Sequence, residues 1–221
     1  MKHIVVDLEM NPIRKNNPAR KICSMETIEI GAVMLDDNYQ EISSFRTYIK
    51  PECNDGIAPK INKLTGITNE MVANAPTFSD GMRMFTNWCL GTGDEVTVYA
   101  WSTSDYEQVF QEIVLKDYGI SEEERPILDN DWVDFQNEFD SHMGFDRSMS
   151  LSQALNLAGI EFEGRQHDAL DDARNTAELL IVFTDEELFE ATLKKTEDAM
   201  RPKPIGTSLG SLIDFSAFAV A

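Results

Sequence analysis

The residues of this 221-residue chain that could do chemistry are a few carboxylates and one histidine. Asp7 and Glu9 stand two apart, directly after the apolar run Ile4-Val5-Val6. Asp105 follows a second apolar stretch that ends at Trp101. His167 lies five residues ahead of Asp172 in the string His167-Asp168-Ala169-Leu170-Asp171-Asp172-Ala173-Arg174-Asn175. Carboxylates gathered where water is scarce must be paired or must hold cations. A neutral imidazole beside them can take a proton from water.

Composition weighs against reading any one acid alone. With 39 Asp plus Glu in the chain, an acid-x-acid pair arises by chance about seven times, mostly as solvated charge. Asp7-x-Glu9 is set apart by context, because on a strand the two share a face at the mouth of an apolar run. Asp105 has two readings, a first-turn acid favoured by the helix dipole or a metal ligand. Its position after a strand and beside a helix start tilts it toward the ligand. On a last helix at about 100° per residue, Asp172 lines up with Ala169, Ala173, Thr176 and Leu179, the packed face, whereas Asp171 neighbours Asp168, Arg174, Asn175 and Glu178 and reads as solvated. His167 can face the same site only if it precedes that helix, on the loop with Gly164, Arg165 and Gln166. His3 and His142 read as ordinary surface or core histidines.

The elements that must position these groups follow from periodicity. Ile4-Val5-Val6 reads as a strand buried on both faces and ending at Asp7-Leu8-Glu9, with a polar loop from Asn11 to about Lys21. Met25 to Leu35 and Ile42 to Ile49 read as two strands joined across Asp36-Asp37-Asn38, a β-hairpin. Helical spacing then places one helix before Gly66 and another from Phe78 to Cys89. Glu95 to Trp101 returns to strand, and Ser104-Asp105-Tyr106-Glu107 reads as a capping box opening a helix with Val109, Ile113 and Val114 inward. Ile127-Leu128 heads the expected last strand, Phe135 to Phe139 a short helix, and Ser150 caps another. Closing helices are expected over about 168–183 and 186–200. The fold class is thus α/β, a mixed sheet whose first three strands are antiparallel, flanked by helices, of RNase H-like order. The expected division is 1–184 as the main domain, 185–200 as a closing helix packed on it, and 201–221 as a turn-rich tail that docks as an apolar strap or frays.

The whole-chain balance narrows function further. A net charge of −20 is the opposite of the basic footprint of proteins that hold long nucleic acid by its phosphates. A polyanionic substrate must then be gripped locally, with help from cations. Arg14, Lys15, Arg20 and Lys21 read equally as phosphate contacts or as a solvated loop. Cys23, Cys53 and Cys89 share no CxxC spacing and read as free thiols of a reducing compartment. With no signal-peptide core at the amino end and no membrane-length apolar run, the expected location is cytoplasmic. No GxGxxG or P-loop is present.

Together, Asp7-x-Glu9 after a strand, Asp105 at a helix start and His167 to Asn175 resemble the three motifs of the DEDDh 3′–5′ exonuclease family. Glu26-Thr27-Ile28-Glu29-Ile30-Gly31-Ala32-Val33 and Leu64-Thr65-Gly66-Ile67-Thr68 resemble its second strand and its segment near the bound 3′ end. The resemblance covers about residues 2–184 and is nearest to the branch that trims histone-message and small-RNA 3′ ends, with its bacterial relatives. It implies two Mg²⁺ or Mn²⁺ ions held by Asp7, Glu9, Asp105 and Asp172, and His167 as the base that activates water. It also implies contacts of Met10 and Leu64 with the terminal nucleotide. The second motif, Trp101-Ser102-Thr103-Ser104-Asp105, lacks the Asn and aromatic that often precede its acid. The implied partners are single-stranded RNA or DNA 3′ ends, RNA favoured by the branch and DNA the alternative. A catalytically idle nucleic-acid-binding or regulatory module and a phosphoesterase acting on nucleotides are the competing readings.

Overall fold

A computed structural model describes residues 1–129 and 132–200, with side chains through residue 195; the expected tail 201–221 lies outside the described residues. The sheet begins with β1 (Lys2–Pro12), β2 (Met25–Leu35) and β3 (Glu41–Tyr48). It continues with β4 (Val96–Ala100) and β5 (Val133–Asp134), in the order β3-β2-β1-β4-β5. β1, β2 and β3 pair antiparallel, while β4 joins β1 and β5 joins β4 in parallel. Asp36 makes the β2–β3 turn, its Oδ1 accepting from the backbone N–H of Asn38 (2.8 Å) and Gln40 (2.9 Å), a side chain mimicking a backbone turn.

Helices cover both faces. Ile4, Val6 and Leu8 of β1 pack with α3 (Phe78–Leu90), α4 (Thr103–Leu115) and α5 (Arg125–Leu128). Val5, Val33 and Leu35 pack with α6 (Phe135–Met143), α7 (Leu151–Ala158) and α8 (Ala169–Thr184). β2 is buried along nearly its whole length, as a central strand covered on both faces must be. α9 (Glu186–Met200) adds Phe189 and Leu193 to the second cluster. Two short helices, α1 (Pro59–Thr65) and α2 (Asn69–Ala73), lie between β3 and α3. No helix among the described residues is long and apolar enough to cross a membrane.

Four local expectations are corrected. β1 does not stop at Glu9 but pairs on to Pro12, the loop starting after it, because Asn11 and Pro12 still find partners in Glu26 and Met25. Ile127-Leu128 is helical, opened by Pro126 in the first turn, and the last strand is Val133–Asp134; a short buried apolar run fits either state. The cap of α4 is Ser102, whose side chain accepts from Ser104 N. Val114 is exposed beside Phe110 rather than packed inward. α2, a single turn capped by Thr68, has too short a pattern to be read from periodicity.

Candidate active site

Strand lengths place the first two acids. β1 pairs with β4 only from Lys2 to Val6, so Asp7 and Glu9 lie just past the carboxyl end of the parallel neighbour. Ligand crevices of α/β sheets open there. With period 2 they continue the row begun by Val5, the face covered by α8. The β4–α4 connection then turns back over this end, and Asp105, buried in the first turn of α4, accepts a hydrogen bond from Leu8 N at Oδ1 (3.2 Å). One carboxylate from α4 is thereby tied to the residue between the other two.

Asp172 is delivered by an unusually close helix approach. Gly31 on β2 pairs across the sheet with Asp7, and a Cβ there would lie 2.2 Å from the backbone of Ala169 and Leu170. Only glycine lets α8 come this near. Ala169, Ala173 and Leu179 are fully buried and Thr176 nearly so, which is the packed face expected for Asp172. The amino end of α8 is anchored by a bridge the sequence reading missed. Arg46 on β3, opposite Gly31, contacts buried Glu29 at 2.7 Å and Asp168 at 2.6 Å. Asp168 caps α8, and Ala169 N donates to Glu29 (3.4 Å). The signal available beforehand was the hairpin turn, whose register sets Arg46 opposite Gly31.

His167 precedes α8, in a turn with φ 62°, a left-handed conformation in which histidine, like asparagine and aspartate, is enriched among non-glycine residues. Its backbone N–H donates to Asp172 Oδ2 (2.9 Å). The same loop is stitched to the helix by Arg165 N donating to Asp171 Oδ2 (2.8 Å) and by Asn175 Nδ2 donating to Glu163 O (2.8 Å). Asp171 is therefore half-buried and structural rather than solvated, and Asn175 is buried. Ligand atoms of Glu9, His167 and Asp172 lie within 4.8 Å of one another.

The electrostatics are those of a site lacking positive charge. Burial is the first cause for every acid, raising Asp7 well above the usual carboxylate range, with Asp105, Asp172, Glu9 and Glu29 adding repulsion. Glu9 is pushed up to about 8, Asp105 to about 7 and Asp172 to about 6. Glu9 is 8% exposed and takes no hydrogen bond from any described residue. Crowded carboxylates cannot all ionise unaided. Divalent cations are the natural neutralisers, and the oxygen donors suit Mg²⁺ or Mn²⁺.

The remaining expected residues sit further out. Leu64 is exposed at the end of α1, and its carbonyl accepts from Arg165 Nη2 (3.1 Å), which joins this segment to the His167 loop. Gly66, with φ 75°, ends α1 against the same guanidinium. Met10 packs half-buried on the other face of the sheet, against the cluster containing Leu8 and Val109. In the basic loop, Arg14 pairs with Asp55 and Arg20 donates to the carbonyls of Ile13 and Ser24. His3 stacks on Tyr39, and His142 packs against Phe183 and Phe189.

The chain is similar to known proteins over most of its length. The mouse protein "ERI1 exoribonuclease 2" is 29% identical over 229 residues, covering 94% of this chain and 32% of its own length. Mouse "3'-5' exoribonuclease 1" is 26% identical over 186 residues, covering 80% of this chain and 51% of its own. The chain thus spans between about a third and a half of the curated relatives it matches. The nuclease domain of 3'hExo, described as a DEDDh family member bound to rAMP, superposes with a TM-score of 0.68 at 22% identity, covering 81% of this chain and 90% of that one. That likeness shows the fold, a mixed sheet of RNase H-like exonuclease type. The Exonuclease (RNase_T) family model matches residues 4–180, and with the acids and histidine in place on that fold, the chain belongs to this family.

Proposed function

We propose that the chain is a metal-dependent 3′–5′ exonuclease that releases nucleoside monophosphates from single-stranded ends, with RNA as the preferred polymer. The observation that carries this reading is the convergence of Asp7, Glu9, Asp105 and Asp172, all raised by burial and by neighbouring acids, beside a histidine on a loop tied to Asp172. An idle binding module has no use for four unneutralised acids. The RNA preference rests on the relatives named as exoribonucleases.

In this reading Asp7, Glu9, Asp105 and Asp172 hold two Mg²⁺ or Mn²⁺ ions. When bound, such a pair lowers the pKa of the attacking water and stabilises the leaving 3′ oxygen. His167 accepts the water proton on its ring nitrogen, and its backbone bond to Asp172 keeps the ring at the carboxylate edge. Leu64, on the segment that Arg165 joins to this loop, and Met10 are proposed to contact the terminal nucleotide. The acidic surface repels long backbone away from the site, which favours chain ends. We assign the catalytic unit to residues 1–184 with α9 closing over it, and the three free thiols suit a cytoplasmic location.

Linear and circular single-stranded RNA and DNA, each incubated with Mn²⁺ and with EDTA, test the proposal. Linear RNA is expected to be digested faster than linear DNA, with circles intact and EDTA abolishing activity. Cleavage of circles, or undiminished hydrolysis in EDTA, overturns it.

A further inference from the structure

In a chain with a net charge of −20, residues 10–25 and 56–69 carry no acid at all. They hold Arg14, Lys15, Arg20 and Lys21 in the loop after β1, and Lys60 and Lys63 on α1. The fold divides the loop cations by use. Arg20 closes the base of the loop by donating to the carbonyls of Ile13 and Ser24, and Arg14 pairs with Asp55. Lys15 and Lys21 are exposed, make no ion pair or hydrogen bond among the described residues, and line a concavity of about 540 Å³ together with Asn16, Asn17, Pro18 and Arg20. We propose that this loop is a phosphate-binding platform for the RNA backbone upstream of the terminal nucleotide, with Lys15 and Lys21 as its charged contacts, so that it engages only strands long enough to reach it.

The loop is braced before any ligand arrives. Ile13 is buried, and its N–H donates to Ser24 O (3.0 Å). The Asn17 side chain accepts from Ala19 N (2.9 Å) and donates to Cys53 O (2.7 Å), and Arg14 N donates to Asn54 Oδ1 (3.3 Å). Binding is thereby spared the entropy of ordering the backbone. The loop also lies one strand end from the acids. β1 runs on from Glu9 to Pro12 and straight into it, about 10 Å at roughly 3.3 Å per residue. Asn11, on that last stretch, ties down the start of α1, its Oδ1 accepting from Ala58 N (2.9 Å) and its Nδ2 donating to Gly56 O (3.2 Å). The other end of α1 reaches the His167 loop through Leu64 O and Arg165. Lys60 and Lys63, both exposed, thus stand on an element that joins the His167 loop to the end of β1. On the order of three nucleotides, at about 3.4 Å each when stacked, span this distance. A dinucleotide does not, because its single phosphate is the scissile one held at the acids. Where the 3′ end lies rests on the nuclease reading; what holds the strand behind it on so acidic a protein is this loop.

The test is binding of a 5′-fluorescent single-stranded RNA nonamer in Mn²⁺, read by anisotropy over a range of salt, with Asp172→Asn as background to prevent digestion. Adding Lys15→Gln and Lys21→Gln is expected to flatten the slope of log affinity against log salt by about 1.4, at roughly 0.7 per phosphate contact on a single strand. Affinity at low salt is expected to fall by about 3–30-fold, the worth of two exposed charge contacts. Lys15→Arg with Lys21→Arg should keep both slope and affinity, as should Arg147→Gln, which removes an exposed cation beyond the end of α6. In hydrolysis by the otherwise parental chain, the Gln pair should raise KM for the nonamer without lowering kcat, shrinking the nonamer's advantage over a dinucleotide. An unchanged slope, an equal fall in Arg147→Gln, or an equal rise in KM for the dinucleotide overturns the proposal. Protection of Lys15 and Lys21 from acetylation by bound nonamer, read by mass spectrometry on the Asp172→Asn chain with both lysines intact, decides the matter if the Gln pair misfolds: protection is expected, and full reactivity overturns it. Nucleotide release by the parent chain is assayed separately; its absence removes the nuclease reading, whereas slope and protection decide the platform.

Discussion

Asp7 and Gly31 are cross-strand partners, and the missing side chain of one sets the surroundings of the other. Because Gly31 has no Cβ, the first turn of α8 lies directly on β2, and Asp172 reaches the row of acids on β1. Gly31→Ala must push α8 outward, since the added carbon would meet backbone at 2.2 Å. Overpacking of this kind costs about 1–3 kcal/mol. The expected outcome is a lower melting temperature and a loss of nuclease turnover larger than the stability loss alone explains, checked by calorimetry and by single-turnover kinetics.

Removing an acid is expected to act oppositely on stability and activity. Asp7→Asn or Asp172→Asn relieves repulsion among carboxylates held above their usual range. In the metal-free protein each variant should be as stable as the parent or more so, while Mn²⁺-supported hydrolysis is abolished. Denaturant melts in EDTA, paired with activity assays, check both halves.

The same crowding gives the metal-free chain a definite pH dependence. Glu9 has an ordinary value of 4.5 and stands at about 8 when folded, and Asp105 and Asp172 are raised in the same direction. The folded state therefore binds more protons than the unfolded one across this window. The stabilisation is complete below the unfolded values and is lost as pH rises through the folded ones. The melting temperature in EDTA is expected to fall between pH 5 and pH 8, less steeply in Glu9→Gln, and Mn²⁺ should reverse the fall. A melting temperature that rose over that range would contradict the assignment.

Arg46 is expected to matter for position, not for contact with substrate. It bridges Glu29, which is 1% exposed, and the Asp168 cap. Arg46→Met leaves the buried Glu29 carboxylate without its cation, a loss of about 3–5 kcal/mol. Adding Glu29→Gln should recover most of the stability, because an apolar and neutral pair replaces a broken ionic one. A double-mutant cycle in urea reads the coupling.

Much of this site was legible beforehand because it rests on local periodicity. Period 2 put Asp7 and Glu9 on one face, and the 3.6 repeat put Asp172 with Ala169 and Ala173 on the buried side of α8. What escaped depends on register and tertiary approach. Glu29, Gly31 and Arg46 lie on strands read correctly as strands, yet their roles come from which residues face each other across β1, β2 and β3. Asp171 was misplaced for a similar reason: its helix position is outward, but the Gly164–Arg165 loop folds over it. Ile127-Leu128 lacked any periodic length that could separate helix from strand.

His167→Asn tests the base. It keeps the left-handed turn, where His167→Ala would strain it, and removes the ring. Turnover is expected to fall by about 10²–10⁴-fold, the usual worth of a positioned general base, with Mn²⁺ binding largely retained.

The most direct test of the central claim is the product pattern from one single-stranded RNA oligomer labelled at either end, digested in Mn²⁺ by the parent chain and by Asp172→Asn. The account predicts that the 3′ label is released at once as a nucleoside monophosphate, that the 5′ label shortens stepwise, and that Asp172→Asn does neither. Immediate release of the 5′ label, internal fragments, or full activity in Asp172→Asn would contradict it.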